Sequence, residues 1–111
     1  MINVACTGGG DYFARQRVFD ALDLIHAQTP IDKLAHSACG WDKAKPHAHL
    51  IINLRGADRY AHEWALRNKI DCCPYPASWS ESRGGAGPLR NKLMLDDFRP
   101  DLLVAFPGNA G

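Results

Sequence analysis

Ile2-Asn3-Val4-Ala5-Cys6 is a short β-leaning run that leads straight into Thr7-Gly8-Gly9-Gly10-Asp11. Beyond this turn Ala14, Val18, Leu22 and Ile25 recur at helical spacing, with Ala21 beside them. Asp11 stands at an N-cap position, where its carboxylate can accept from unpaired first-turn amides. Strand, glycine turn and helix in that order predict the opening of a βαβ unit. Two segments then compete for the second strand. Residues 49–54 (His-Leu-Ile-Ile-Asn-Leu) are richer in branched side chains and run almost directly into Gly56, which favours them as a central strand. The alternative is residues 31–36, which would leave 39–49 as a polar excursion.

A helix follows, with Ala57, Tyr60, Ala61, Trp64 and Ala65 on one face. Residues 70–75 read as a third strand, in which Pro74 suits a strand end or an edge. Residues 82–87 are predicted to form a flexible glycine loop. Pro88 then sits in the first turn of a helix that would bury Leu89, Leu93, Met94 and Phe98. Residues 101–106 form a continuous apolar run, as expected for a strand covered on both faces. No internal repeat is visible. The expected fold class is α/β, a Rossmann-like three-layer α/β/α domain over residues 1–111. Its sheet would have four or five mainly parallel strands, with an inserted segment at about 39–49.

Composition narrows the function classes. The 111 residues are 46% hydrophobic and 23% charged, the profile of one globular domain. Thirteen Lys and Arg against twelve Asp and Glu give a net charge of +1, with no basic block. Duplex nucleic acid is therefore not an expected partner. No apolar run is long enough to span a bilayer. The N-terminus lacks the basic and apolar segments of a secretion signal. Reduced thiols are expected for Cys6, Cys39, Cys72 and Cys73, and a cytoplasmic location with them.

Three glycine turns lie at predicted strand-to-helix junctions: Gly8-Gly9-Gly10, Gly56-Ala57-Asp58 and Pro107-Gly108. In a parallel sheet such junctions share the carboxyl edge, where open α/β sheets bind ligands. Glycine lets backbone approach a phosphate, and helix N-terminal amides supply donors to it. Each turn alone is as readily a structural turn as a binding loop. Together they point to a phosphate-bearing ligand.

The segments Thr7-Gly8-Gly9-Gly10-Asp11-Tyr12, Gly56-Ala57-Asp58, Pro76-Ala77-Ser78-Trp79, Gly87-Pro88-Leu89-Arg90-Asn91 and Ala105-Phe106-Pro107-Gly108, in this order, resemble the YspA/cpYpsA-related branch of the SLOG superfamily. The resemblance implies a Rossmann-like fold and a nucleotide or ADP-ribose-like ligand. Its relatives include phosphoribohydrolases of the Lonely Guy type and sensors of ADP-ribose-derived signals. The ligand-binding residues it implies are Thr7, Gly8, Gly9, Gly10, Asp11, Gly56, Ala57, Asp58, Trp79, Gly87, Arg90, Asn91, Pro107 and Gly108.

The chain departs from that pattern twice. A longer segment carrying Trp41, Lys43, Lys45, His47 and His49 precedes Gly56, and Asn109-Ala110-Gly111 follows Pro107-Gly108 in place of a glycine-rich turn and a closing helix.

Arg90 and Asn91 sit where a guanidinium fork can clamp a phosphate or carboxylate, or else form a solvated helix face with Asp96 or Asp97. Asp58 suits a ribose hydroxyl, or else the helix dipole. Trp79 is the better stacking candidate and Trp64 the better core residue. Cys39, His47 and His49, with Cys72 and Cys73, are zinc-ligand types without zinc-ligand spacing, so no metal and no cofactor are expected. His26 and His62 read as exposed helix residues.

The expected function is binding of a nucleotide-type small molecule, as a sensor or sequestering module. One alternative is cleavage of an N-glycosidic bond, for which relatives use a glutamate in the closing helix. The other is a scaffold that has lost the pocket. A second copy of the chain stays open as a partner, since it could supply a missing group.

Overall fold

In the computed structural model the described residues are 1–45, 50–78 and 85–107. Four parallel strands form one sheet: β1 (Ile2–Thr7), β2 (Ile31–His36), β3 (Asp71–Pro74) and β4 (Leu102–Ala105), in the order β3-β2-β1-β4. Three helices connect them: α1 (Arg15–Gln28), α2 (Gly56–Arg67) and α3 (Ala86–Phe98).

Alternation along β1 sorts the helices onto two faces. Val4 and Cys6 pack with Val18, Phe19 and Leu22 of α1 and with Ala57, Ala61, Trp64 and Ala65 of α2. Ala5 points the other way and meets Met94 and Phe98 of α3. The result is the expected three-layer α/β/α arrangement. Trp64 is fully buried, and its indole Nε1 donates to Asp23 Oδ1 at 2.8 Å, so the largest core side chain leaves no unmet polar group.

The second strand is Ile31–His36, not residues 49–54. Ile31, Leu34 and Ala35 are buried against β1, with Leu34 opposite Val4 and Ala35 opposite Ala5. In the rival segment, 51–53 form a single 3-10 turn in which Ile51 and Ile52 are exposed. Tertiary pairing overrides local β propensity here. The β2–α2 connection is accordingly long. Trp41 is buried in it, and Asp42 forms a parallel bridge to Ala77 beyond β3.

Three further expectations change. Helix α1 starts at Arg15, with Ala14 at its N-cap and no side-chain cap, so Asp11 lies in the loop before it. In α3 the buried face is Ala86, Gly87, Met94 and Phe98, whereas Leu89 and Leu93 are 64% and 50% exposed beside a cleft. Among the described residues strand β4 is an edge, paired with β1 alone. Val104 and Phe106 pack toward α1 and α2, but Leu103 on the other face is 51% exposed. The first half of the predicted loop 82–87 lies outside the described residues, and its last two residues begin α3.

The starts of β1 and β4 are tied together. Asn3 N–H donates to Asp101 Oδ2 and Asp101 N–H to the Asn3 carbonyl, both at 2.8 Å. Among the described residues no helix is long and apolar enough to cross a membrane.

Candidate functional site at the carboxyl edge

All four strands end on one edge, and their exit loops converge there. The glycine turns meet each other more closely than the sequence implies. A Cβ on Gly8 would lie 2.6 Å from the Ala57 Cβ and 3.2 Å from the Phe106 Cβ. Gly56 is left-handed (φ +64), and a Cβ there would collide with the Gly9 carbonyl. Gly56, Ala57 and Asp58 are all buried. The β1 exit loop thus closes directly over the N-terminus of α2. Gly8 and Gly56 thus serve the close packing of these two elements.

Asp58 faces inward and is fully buried. Its Oδ2 accepts the Cys39 N–H at 3.0 Å, and the Ser37 N–H also bonds to the carboxylate. Oδ1 has no hydrogen-bond partner among the described residues. Burial raises the carboxyl pKa to about 6, against the pull of the two backbone donors and the nearby Arg90 charge. Asp58 therefore organises the exit of β2, a loop that also holds Ala38 in a left-handed conformation (φ 51).

Arg90 reaches the same loop from the opposite face of the sheet. Its Nη1 donates to the Ser37 carbonyl and its Nε to Asn91 Oδ1 at 2.7 Å. The guanidinium is half-buried and interacts electrostatically with Asp58 and Cys39. Beside it lies a shallow cleft of about 120 Å³ over the ends of β2 and β3, lined by Lys43, Ser78, Arg90 and the exposed Leu89 and Leu93. This is well below the roughly 300–1,000 Å³ of a full small-molecule pocket.

The structure thus gathers Gly8, Gly9, Gly10, Gly56, Ala57, Asp58 and Arg90 around the β2 exit. Thr7 ends β1, and its carbonyl accepts the Phe106 N–H. Gly87 is buried in the first turn of α3, while Asp11, Asn91 and Pro107 are exposed. Trp79 and Gly108 lie outside the described residues. Ser37, Cys39 and Lys43 were not among the expected site residues. Their place depends on β2 being residues 31–36.

A second cluster lies on the α2 side, between β2, α2 and β3. His36 Nε2 is 2.9 Å from His62 Nδ1, and Cys72 Sγ is 3.3 Å from the same nitrogen. The Ala38 N–H donates to His36 Nδ1 at 2.9 Å, which places the His36 proton on Nε2, aimed at His62. His36 is fully buried, and burial lowers its pKa to about 3, with His62 contributing. His62 is half-buried rather than exposed, and burial lowers its pKa as well. Burial pushes the Cys72 thiol up to about 12. His26 is also half-buried, and its Nδ1 accepts the Ile31 N–H at 3.0 Å. Of the zinc-ligand types noted in the sequence, His47 and His49 lie outside the described residues.

Compared with known protein families, with curated proteins and with solved structures, the chain matches none.

Proposed function

We propose that this chain binds a small phosphate-bearing ligand of nucleotide type at the carboxyl edge of its sheet, as a sensor or sequestering module. The observation that carries this reading is the position of Arg90. From the second turn of α3 it reaches the end of β2 and shares a cleft with Lys43 and Ser78. Two cations and a hydroxyl at the end of parallel strands are the chemistry that receives a phosphoryl group. The cleft takes that group, and the rest of the ligand lies across the neighbouring loops. The resemblance of the glycine and Arg90-Asn91 segments to the SLOG superfamily supports the same ligand class.

Binding is favoured over cleavage of an N-glycosidic bond by the state of the nearby acids. Such cleavage needs a carboxylate presented to the sugar or to water. Asp58 is turned into the fold. Glu63 pairs with Arg15 at 3.1 Å and Arg59 at 3.2 Å.

Calorimetric titration with adenosine monophosphate, ADP-ribose and inorganic phosphate, alongside chromatography for released base, tests the proposal. The expected result is saturable binding of a nucleotide that Arg90→Ala weakens, with no base released above background. Binding indifferent to Arg90, or steady turnover, overturns it.

A further inference from the structure

We propose that His36, His62 and Cys72 form a binding site for one borderline-soft divalent metal ion of the zinc type. This site is separate from the phosphate cleft. The three side chains come from three rigid elements, the end of β2, the middle of α2 and β3, and their ligand atoms all lie within 4.8 Å of one another. Two imidazole nitrogens and a thiol are a donor set that zinc takes readily.

The spacing fits an ion with little movement. With zinc–nitrogen bonds near 2.05 Å and zinc–sulfur near 2.3 Å, ligand atoms in a tetrahedron stand roughly 3.3–3.6 Å apart. The separations of 2.9 Å and 3.3 Å from His62 Nδ1 are those of atoms sharing protons, and each widens by a few tenths of an ångström around a metal, while His36 Nε2 and Cys72 Sγ lie within 4.8 Å of each other. Edge strand β3 and the half-buried His62 leave the cluster reachable from solvent, which lets water take the fourth position. Trp41 lies edge-on to both imidazoles, with centroids at 6.4 Å and 6.0 Å, and gives the site an apolar wall.

The protons balance as follows. His62 already presents a lone pair at Nδ1. Cys72 gives its thiol proton to solvent and binds as thiolate. His36 exchanges its proton from Nε2 to Nδ1, which forfeits the bond from the Ala38 N–H. The Ala38 N–H then faces a second donor and must turn away from it, a loss that three coordination bonds offset. The net result is one proton released per ion. The bound centre carries one positive charge, offset by Asp58 and Glu63, which are electrostatically coupled to Cys72 and His62 respectively.

The test uses the full chain, dialysed against a chelator and titrated with cobalt(II), then with zinc. Expected are one equivalent of cobalt with the intense visible bands of a tetrahedral site, a thiolate-to-cobalt band in the near ultraviolet, and displacement of both by zinc. Calorimetry in buffers of different ionisation enthalpy should report about one proton released per ion. Cys72→Ser should remove the thiolate band, and it and His62→Ala should each weaken binding on the order of 100-fold. Cys73→Ser is the control, because Cys73 packs toward α3 on the other face and should leave every signal intact. An octahedral spectrum, no binding, no proton release, or bands that survive both Cys72→Ser and His62→Ala would each overturn the site.

Discussion

Gly8 and Ala57 touch backbone to side chain, with no room for even a methyl group between them, since a Cβ on Gly8 would lie 2.6 Å from that of Ala57. The contact joins the end of β1 to the first turn of α2. Gly8→Ala should therefore destabilise the fold by about 1–3 kcal/mol, the usual range for overpacking a tight interior contact. Urea unfolding reads this directly. An unchanged midpoint would show that the loop has slack and that glycine is there for another reason.

Asp58 should behave as a structural carboxylate. Asp58→Ala leaves the Cys39 and Ser37 N–H groups without their acceptor. The expected loss is about 1–3 kcal/mol of stability, the range for stranding a buried donor. A variant that keeps its melting temperature but loses ligand would instead return Asp58 to the binding role.

Arg90→Ala should weaken phosphate-ligand binding by about 2–4 kcal/mol, as expected for removing one partner of a desolvated charge pair. Arg90→Lys should restore only part of that, because a lysine lacks the fork that can hold the Ser37 carbonyl and an anion together. Full rescue by lysine, measured calorimetrically, would reduce the role to simple charge.

Acidification below about pH 6.5 should set two opposing slopes on stability, of which His36 supplies the destabilising one. The unfolded chain protonates this histidine near 6.5, whereas the fold resists until about 3, so protons favour the unfolded state throughout that interval. His62, also depressed, adds to the trend. Asp58 acts the other way. Folded, it takes a proton at about 6, above its ordinary 3.8, so acid favours the fold between those values. Each group contributes a slope of at most about 1.4 kcal/mol per pH unit. Between about pH 6 and 4 the His36 and Asp58 slopes nearly cancel, so urea unfolding from pH 4.5 to 7.5 should show a shallow wild-type profile, with His36→Gln gaining stability on acidification and Asp58→Asn losing it. The reverse ranking would mean that the two burial effects are wrongly assigned.

The elements with strong periodicity were legible in the chain itself. Ala57, Ala61, Trp64 and Ala65 mark the buried face of α2 as the sequence predicts. β2 was misread because Ile51 and Ile52 carry more local β preference than Ile31-Asp32-Lys33. What selects the latter is register against a strand 29 residues away, Ile2 opposite Ile31. In α3, apolar residues surround the helix, so spacing alone could not separate buried Met94 and Phe98 from exposed Leu89 and Leu93.

The candidate site was legible where one segment carries it, as at Arg90. It was not legible where side chains meet across long separations. His36 and His62 are 26 residues apart, and His62 and Cys72 ten. Neither spacing is a ligand motif, and both contacts exist only once β2, α2 and β3 have been assembled.

The clamp between Asn3 and Asp101 spans 98 positions of sequence. Its neighbour β2, by contrast, reaches β1 across the single helix α1. The order of events in folding should follow from this, because a contact that closes a long loop is entropically dearer than one that closes a short loop. The layer of β1, α1, β2, α2 and β3 can collapse on the Trp64 cluster as a local nucleus. Docking of β4 along the open side of β1 is then a separate, later event. During synthesis β1 emerges before the other three strands of this sheet, yet it acquires its second neighbour last.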